Sequence, residues 1–84
     1  MNHELKIWPQ YYARVADGSK TFEVRSNDRG FQAGDTVELR CWSDTRHCYT
    51  EPYEPLKFRI GYVLPIDERV VFSLLPIEEI RGEA

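Results

Sequence analysis

The chain has 84 residues, 42% hydrophobic and 13% aromatic, which is enough for one hydrophobic core and leaves little room for a second domain. Its formal net charge of −3 argues against the broad basic face that sequence-independent binding to long duplexes requires. No apolar run approaches the ~20 residues needed to span a bilayer, and the start lacks the basic and apolar regions of a signal peptide. The expectation is therefore a soluble, cytoplasmic, monomeric protein without membrane contact, in which Cys41 and Cys48 stay reduced.

In chain order, His3, Leu5 and Ile7 alternate with Glu4, Lys6 and Trp8, the period of a half-buried strand. Pro9 suits the first turn of a helix. The spacing predicts a helix to about Asp17, with an apolar stripe of Tyr11, Tyr12, Val15 and Ala16 and with Gly18 as the stop. Lys20–Arg25 reads as a second strand, with Phe22 and Val24 on one face and Thr21, Glu23 and Arg25 on the other. Ser26 to Gly30 is a loop rich in residues that bend the chain. Gly34 and Asp35 turn into a third strand, Thr36–Trp42, with Val37, Leu39 and Cys41 inside.

Residues 43–55 carry polar groups, two tyrosines and two prolines, and read as one long, mobile hairpin connection. Leu56, Phe58, Ile60 and Tyr62 alternate with Lys57, Arg59, Gly61 and Val63 as a fourth strand. Pro65-Ile66-Asp67-Glu68 is a turn. Arg69–Leu75 follows, apolar on both faces and hence central or covered by the helix. The tail from Pro76 to Ala84 forms a helical turn or frays. Such a chain is α+β but mainly β: about five strands curled into a small barrel, with one N-terminal helix.

The charges are unevenly spread. Residues 1–46 hold seven basic and seven acidic side chains, residues 47–84 four and seven, so the second half supplies the whole negative excess. Glu23 and Arg25 share a strand face with Thr21, about 7 Å apart, and Lys20 precedes them. They either form an ordinary ion pair in solvent or grip one polar ligand together. Asn27, Asp28 and Arg29 are either turn chemistry or a clamp for ribose or phosphate. His3, on the inward parity, is either a general base or a histidine hydrogen-bonded at the rim. Trp8, Trp42, Tyr49 and Tyr53, with Arg40 and Arg46, form an aromatic and basic rim able to stack bases, or pack partly under the long loop. Cys41, His47 and Cys48 carry ligand atoms at a spacing unlike zinc fingers or knuckles, so neither metal nor cofactor is expected.

Several ordered blocks carry a resemblance: His3-Glu4-Leu5-Lys6-Ile7, Gly18-Ser19-Lys20-Thr21-Phe22-Glu23-Val24-Arg25, Asn27-Asp28-Arg29 and Phe31-Gln32-Ala33-Gly34-Asp35. Together they resemble a phage and bacterial family of small domains in the ASCH superfamily, whose fold is similar to PUA domains. The likeness covers residues 3–42 and continues weakly through 56–75. It implies a cleft between helix and barrel, lined by the turn Gly18-Ser19-Lys20-Thr21 and the strand after it. Some small ASCH members are amidohydrolases on N4-acylated cytidine that use a lysine from this turn, a threonine three residues on and a separate glutamate. Lys20 matches that lysine, while the threonine position is Glu23.

The sequence thus leads to an RNA- or modified-nucleoside-binding module, with Lys20, Thr21, Glu23, Arg25, Asn27, Asp28, Arg29 and His3 at its ligand. A small hydrolase, either an amidohydrolase or a ribonuclease using Lys20 and Glu23, is the alternative from another class. A phage-type protein-interaction domain is the third.

Overall fold

Residues 1–77 are described in the computed structural model. They form β1 (Asn2–Ile7), α1 (Pro9–Ala16), β2 (Phe22–Ser26), β3 (Thr36–Ser43), β4 (Cys48–Tyr49), β5 (Leu56–Ile66) and β6 (Arg69–Pro76). The strands pair in the order β1-β3-β5-β6-β2, with β4 added to β3. β1 and β3 run parallel, and every other pair is antiparallel. A parallel pair needs a long connection, and α1 lies within it, packed against β3.

Alternation decides which side of each strand is buried. His3, Leu5 and Ile7 of β1 point inward, as do Val37, Leu39 and Cys41 of β3, and the register sets Leu5 beside Leu39. These side chains join Phe31, Ile60, Val70, Phe72 and Leu74 in one core. Each large apolar side chain removed from water there contributes about 1.5–3 kcal/mol. Pro9 opens α1 as expected, and Gly18, at φ 86, closes its C-terminal turn with its N–H 3.2 Å from the carbonyl oxygen of Val15. Only Tyr12 and Val15 of the predicted stripe are buried; Tyr11 and Ala16 face outward.

The segment 43–55 is not one long connection. It folds back at once as β4, pairing Trp42 with Tyr49 and Ser43 with Cys48, and His47 adopts positive φ (54) in the turn. The remainder is fastened to the core. Tyr12 Oη donates to the carbonyl of Glu54 at 2.6 Å, and Cys41 Sγ lies 3.6 Å from that of Glu51.

β5 also differs from its predicted pattern. The register shifts between Ile60 and Val63, so Tyr62 is 69% exposed and Val63 packs against the core. A bulge adds one residue and reverses the parity beyond it. Because the strand then continues to Ile66, Pro65 and Ile66 belong to the ladder, and the turn narrows to Asp67 and Glu68 with Asp67 at φ 56. β6 is central in the sheet, between β5 and β2, as its apolar run requires. Pro76 ends that strand, and the rest of the predicted tail, from residue 78, lies outside the described residues.

The sheet curls but does not close. β1 and β2, the two ends of the pairing order, share no ladder among the described residues. Two arginine side chains cross the gap instead: Arg25 Nη2 donates to the carbonyl oxygen of Lys6 at 2.8 Å, and Arg29 Nη1 to that of Glu4 at 3.0 Å. The result is an open, curled sheet of six strands, not a closed barrel of about five. Carbonyls on the free edge of β1 are satisfied by guanidinium groups where a neighbouring strand would otherwise be needed.

Candidate functional site

The seam between β1 and β2 is where the functional candidates meet. After α1, the chain is turned by Asp17, whose carboxylate accepts the Ser19 amide at 2.8 Å and the Ser19 hydroxyl at 2.6 Å. These two bonds hold the Asp17 carboxyl below its ordinary range. Lys20 N–H donates to the carbonyl of Arg14 at 3.0 Å, which fixes Lys20 at the start of β2. Its Nζ reaches Glu23 Oε1 at 2.6 Å and the Phe22 carbonyl at 2.7 Å.

Strand alternation buries Glu23, half-buries Arg25 and leaves Phe22 and Val24 exposed, so the charged face of β2 is its buried one, and Val24 joins the cleft lining from the other face. Glu23 is only 4% exposed. A carboxylate this deep must be paired, and both of its oxygens are. Oε1 takes Lys20, while Oε2 accepts Arg25 Nη2 at 2.7 Å and Nε at 3.3 Å. The arrangement is a carboxylate holding two cations in fixed positions.

Above this cluster lies a cavity of about 550 Å³. Its lining gathers four cations, Lys6, Lys20, Arg25 and Arg69, with Glu23 as its carboxylate, in a chain whose net charge is negative. One wall is formed by Trp8 and Tyr11, stacked with ring centroids 5.9 Å apart and planes 17° from parallel, each 44% exposed. Trp8 precedes Pro9 and Tyr11 lies one turn on, so the helix start itself builds the aromatic wall. Positive charge beside an exposed ring face suits a ligand with both an anionic group and a planar base.

Of the residues predicted for the site, Lys20, Glu23 and Arg25 line this cavity. Thr21 is exposed and not part of the lining; its carbonyl accepts the Leu74 amide as β2 joins β6. Asn27 and Asp28 are exposed on the loop, and the Asn27 amide donates to the Glu68 carbonyl at 3.0 Å. Arg29 serves the seam through Glu4. His3 lies four residues, ~13 Å, before the Ile7 that lines the cavity. It is buried against Phe31, with Nε2 2.9 Å from Asp35 Oδ2. That is a histidine hydrogen-bonded within the fold and away from the cleft.

Lys6 and Arg69 were not among the residues predicted. Arg69 arrives because it is the register partner of Ser26 at the end of β2, a pairing that no local pattern discloses. Lys6 is signalled only by its position on the exposed face of β1, two residues before Trp8 at the start of α1.

The fold and cleft define a small, mainly β domain whose seam concentrates cations and aromatic surface. The chain belongs to the family described as domain of unknown function DUF3850, which matches it over residues 2–72. It is also similar to the uncharacterized 12.9 kDa protein in the GpA 3′ region of Escherichia phage P2, with 40% identity over 40 residues. That match covers 48% of this chain and 37% of the phage protein, so the chain spans little more than a third of that relative's length.

Proposed function

We propose that the protein is a cytoplasmic nucleic-acid- or modified-nucleoside-binding module of the ASCH type, with a PUA-like fold. The observation that carries this reading is the meeting of four cations and a stacked, half-exposed Trp8–Tyr11 pair around one cavity in an acidic chain. Cations recognise phosphate and ring faces recognise bases, so the ligand is a nucleotide unit, free or within a single strand. The intact turn Gly18-Ser19-Lys20-Thr21 supports the superfamily assignment. Isothermal titration with uridine 5′-monophosphate, a hexameric oligouridylate and N4-acetylcytidine tests it. Binding of at least one probe is expected, weakened about tenfold by Trp8→Ala or Arg69→Ala; equal affinity in both variants and the wild type rejects the reading.

Hydrolysis is the second reading, supported by the 2.6 Å contact between Lys20 and Glu23. Glu23, engaged through both oxygens, is better placed to orient cations than to take a proton from water. Incubation with N4-acetylcytidine and with a mixed RNA oligonucleotide decides: turnover that disappears in Glu23→Gln favours hydrolysis, and no turnover at high protein concentration removes it.

A further inference from the structure

We propose that the binding path continues out of the cleft, across Lys6, onto the outer face of β3 and β4, where Arg40, Trp42 and Tyr49 receive a neighbouring nucleotide of a single-stranded polynucleotide. This rests on the cleft being a nucleotide site and extends it from one unit to a strand.

Lys6 belongs to both places. It lines the cleft, and its Nζ stands 3.8 Å from the centroid of the Trp42 ring on the outer face. The parallel register sets Lys6 beside Arg40, and the hairpin sets Trp42 opposite Tyr49. With strands ~4.8 Å apart and two residues per ~6.6 Å, the path from Lys6 to Tyr49 is roughly 12 Å, the reach of a strand segment beyond a mononucleotide.

Tyr49 on this path is exposed, and Arg40 and Trp42 are partly so. Tyr49 is 44% exposed, and its ring is held edge-on to Trp42 at 5.1 Å, with the Arg40 guanidinium 5.8 Å from its centroid. Arg40 is held more loosely than Arg25, and about a third of its side chain is exposed. The carboxylate paired with it, Glu38, is 3.9 Å from its Nη2, and its Nε, which is buried, has no hydrogen-bond partner among the described residues, so the exposed end of the guanidinium is what a phosphate would meet. An aromatic platform with a loosely paired guanidinium at its edge is how single strands are held without base-specific contacts. Glu4 and Glu38, register partners further back on the same two strands, repel phosphate and so direct the strand toward the β4 end.

The test is titration of wild type, Tyr49→Ala and Arg40→Gln with uridine 5′-monophosphate, with oligouridylates of two, four and six nucleotides, and with matching oligothymidylates. Circular dichroism serves to confirm that both variants are folded. Wild-type affinity is expected to rise about tenfold or more from monomer to tetramer with both sugars, since stacking and phosphate contacts carry the gain. Both variants should bind the monophosphate like wild type and lose most of that rise, and Arg40→Gln should lower the salt slope by about 0.7. Length-independent affinity in the wild type, or a full rise in both variants, overturns the extended path while leaving the cleft intact. If neither mononucleotide nor oligonucleotide binds, the cleft reading falls and takes this one with it.

Discussion

Arg25 Nη2 lies 2.8 Å from the carbonyl oxygen of Lys6, so a side chain from one end strand of the sheet fastens the backbone of the other. The same nitrogen is 2.7 Å from Glu23, which ties the seam and the floor of the cleft to a single guanidinium. Replacing Arg25 with Ala frees a β1 carbonyl and leaves Glu23 with Lys20 alone. The expected loss is about 2 kcal/mol, since a half-buried charge pair is broken without being replaced. Arg29→Ala, which removes an exposed link, should cost less than about 1 kcal/mol. Urea unfolding of both variants measures this order, and a larger loss for Arg29→Ala would contradict it.

Asp35 predicts the acid response. Its carboxyl is held below the ordinary range first by the hydrogen bond from His3, then by the N-terminal ammonium and the Gln32 amide, with burial acting in the opposite direction. Because an ionised carboxylate only accepts, His3 Nε2 carries the proton in this contact. A carboxyl depressed in the folded state contributes stability that is complete above the unfolded pKa and disappears as pH falls through the folded one. Wild type and Asp35→Asn should therefore differ most near neutrality and converge below the ordinary carboxylate range. Urea melts across that window check it; a constant gap would show that Asp35 does not act through its charge.

The two cysteines should react differently. Burial raises the Cys41 thiol above its ordinary pKa, and its sulfur sits in the core, whereas Cys48 is half-buried on β4. The thiolate is the reactive species, so alkylation of the folded protein should mark Cys48 first and Cys41 only on unfolding. Mass spectrometry of iodoacetamide-treated protein reads the order directly.

Gly61 marks the bulge in β5. A Cβ there would come 2.7 Å from Ser73 Oγ and 2.8 Å from a Leu75 methyl. Leu75 can yield, but Ser73 Oγ is held by the Tyr62 amide at 2.9 Å, a bond that satisfies the donor released by the bulge. Gly61→Ala should cost about 1–3 kcal/mol, seen as a lower denaturant midpoint at unchanged slope.

Much of this architecture is legible in the residues, for identifiable reasons. β1, α1 and β3 are called correctly because their alternation or capping is uninterrupted, from His3 to Ile7, at Pro9 and Gly18, and from Val37 to Cys41. β5 is misread after Ile60 because a bulge leaves no mark in hydropathy beyond Gly61. In the candidate cleft, strand parity puts Glu23 and Arg25 on one face, yet parity alone does not say which face is buried. Here the charged face is the buried one, and Phe22 and Val24 are exposed. Arg69 depends on the β2–β6 register, and the position of His3 away from the cleft goes with its contact to Asp35; both are long-range facts.

The claim that the seam is a nucleotide site is tested most directly by nuclear magnetic resonance on the wild-type protein, which has two tryptophans and hence two indole N–H signals. Titration with uridine 5′-monophosphate should shift the Trp8 indole and the amides from Lys20 to Arg25 more than the Trp42 indole. Shifts confined to other surfaces, or none at millimolar nucleotide, would contradict it.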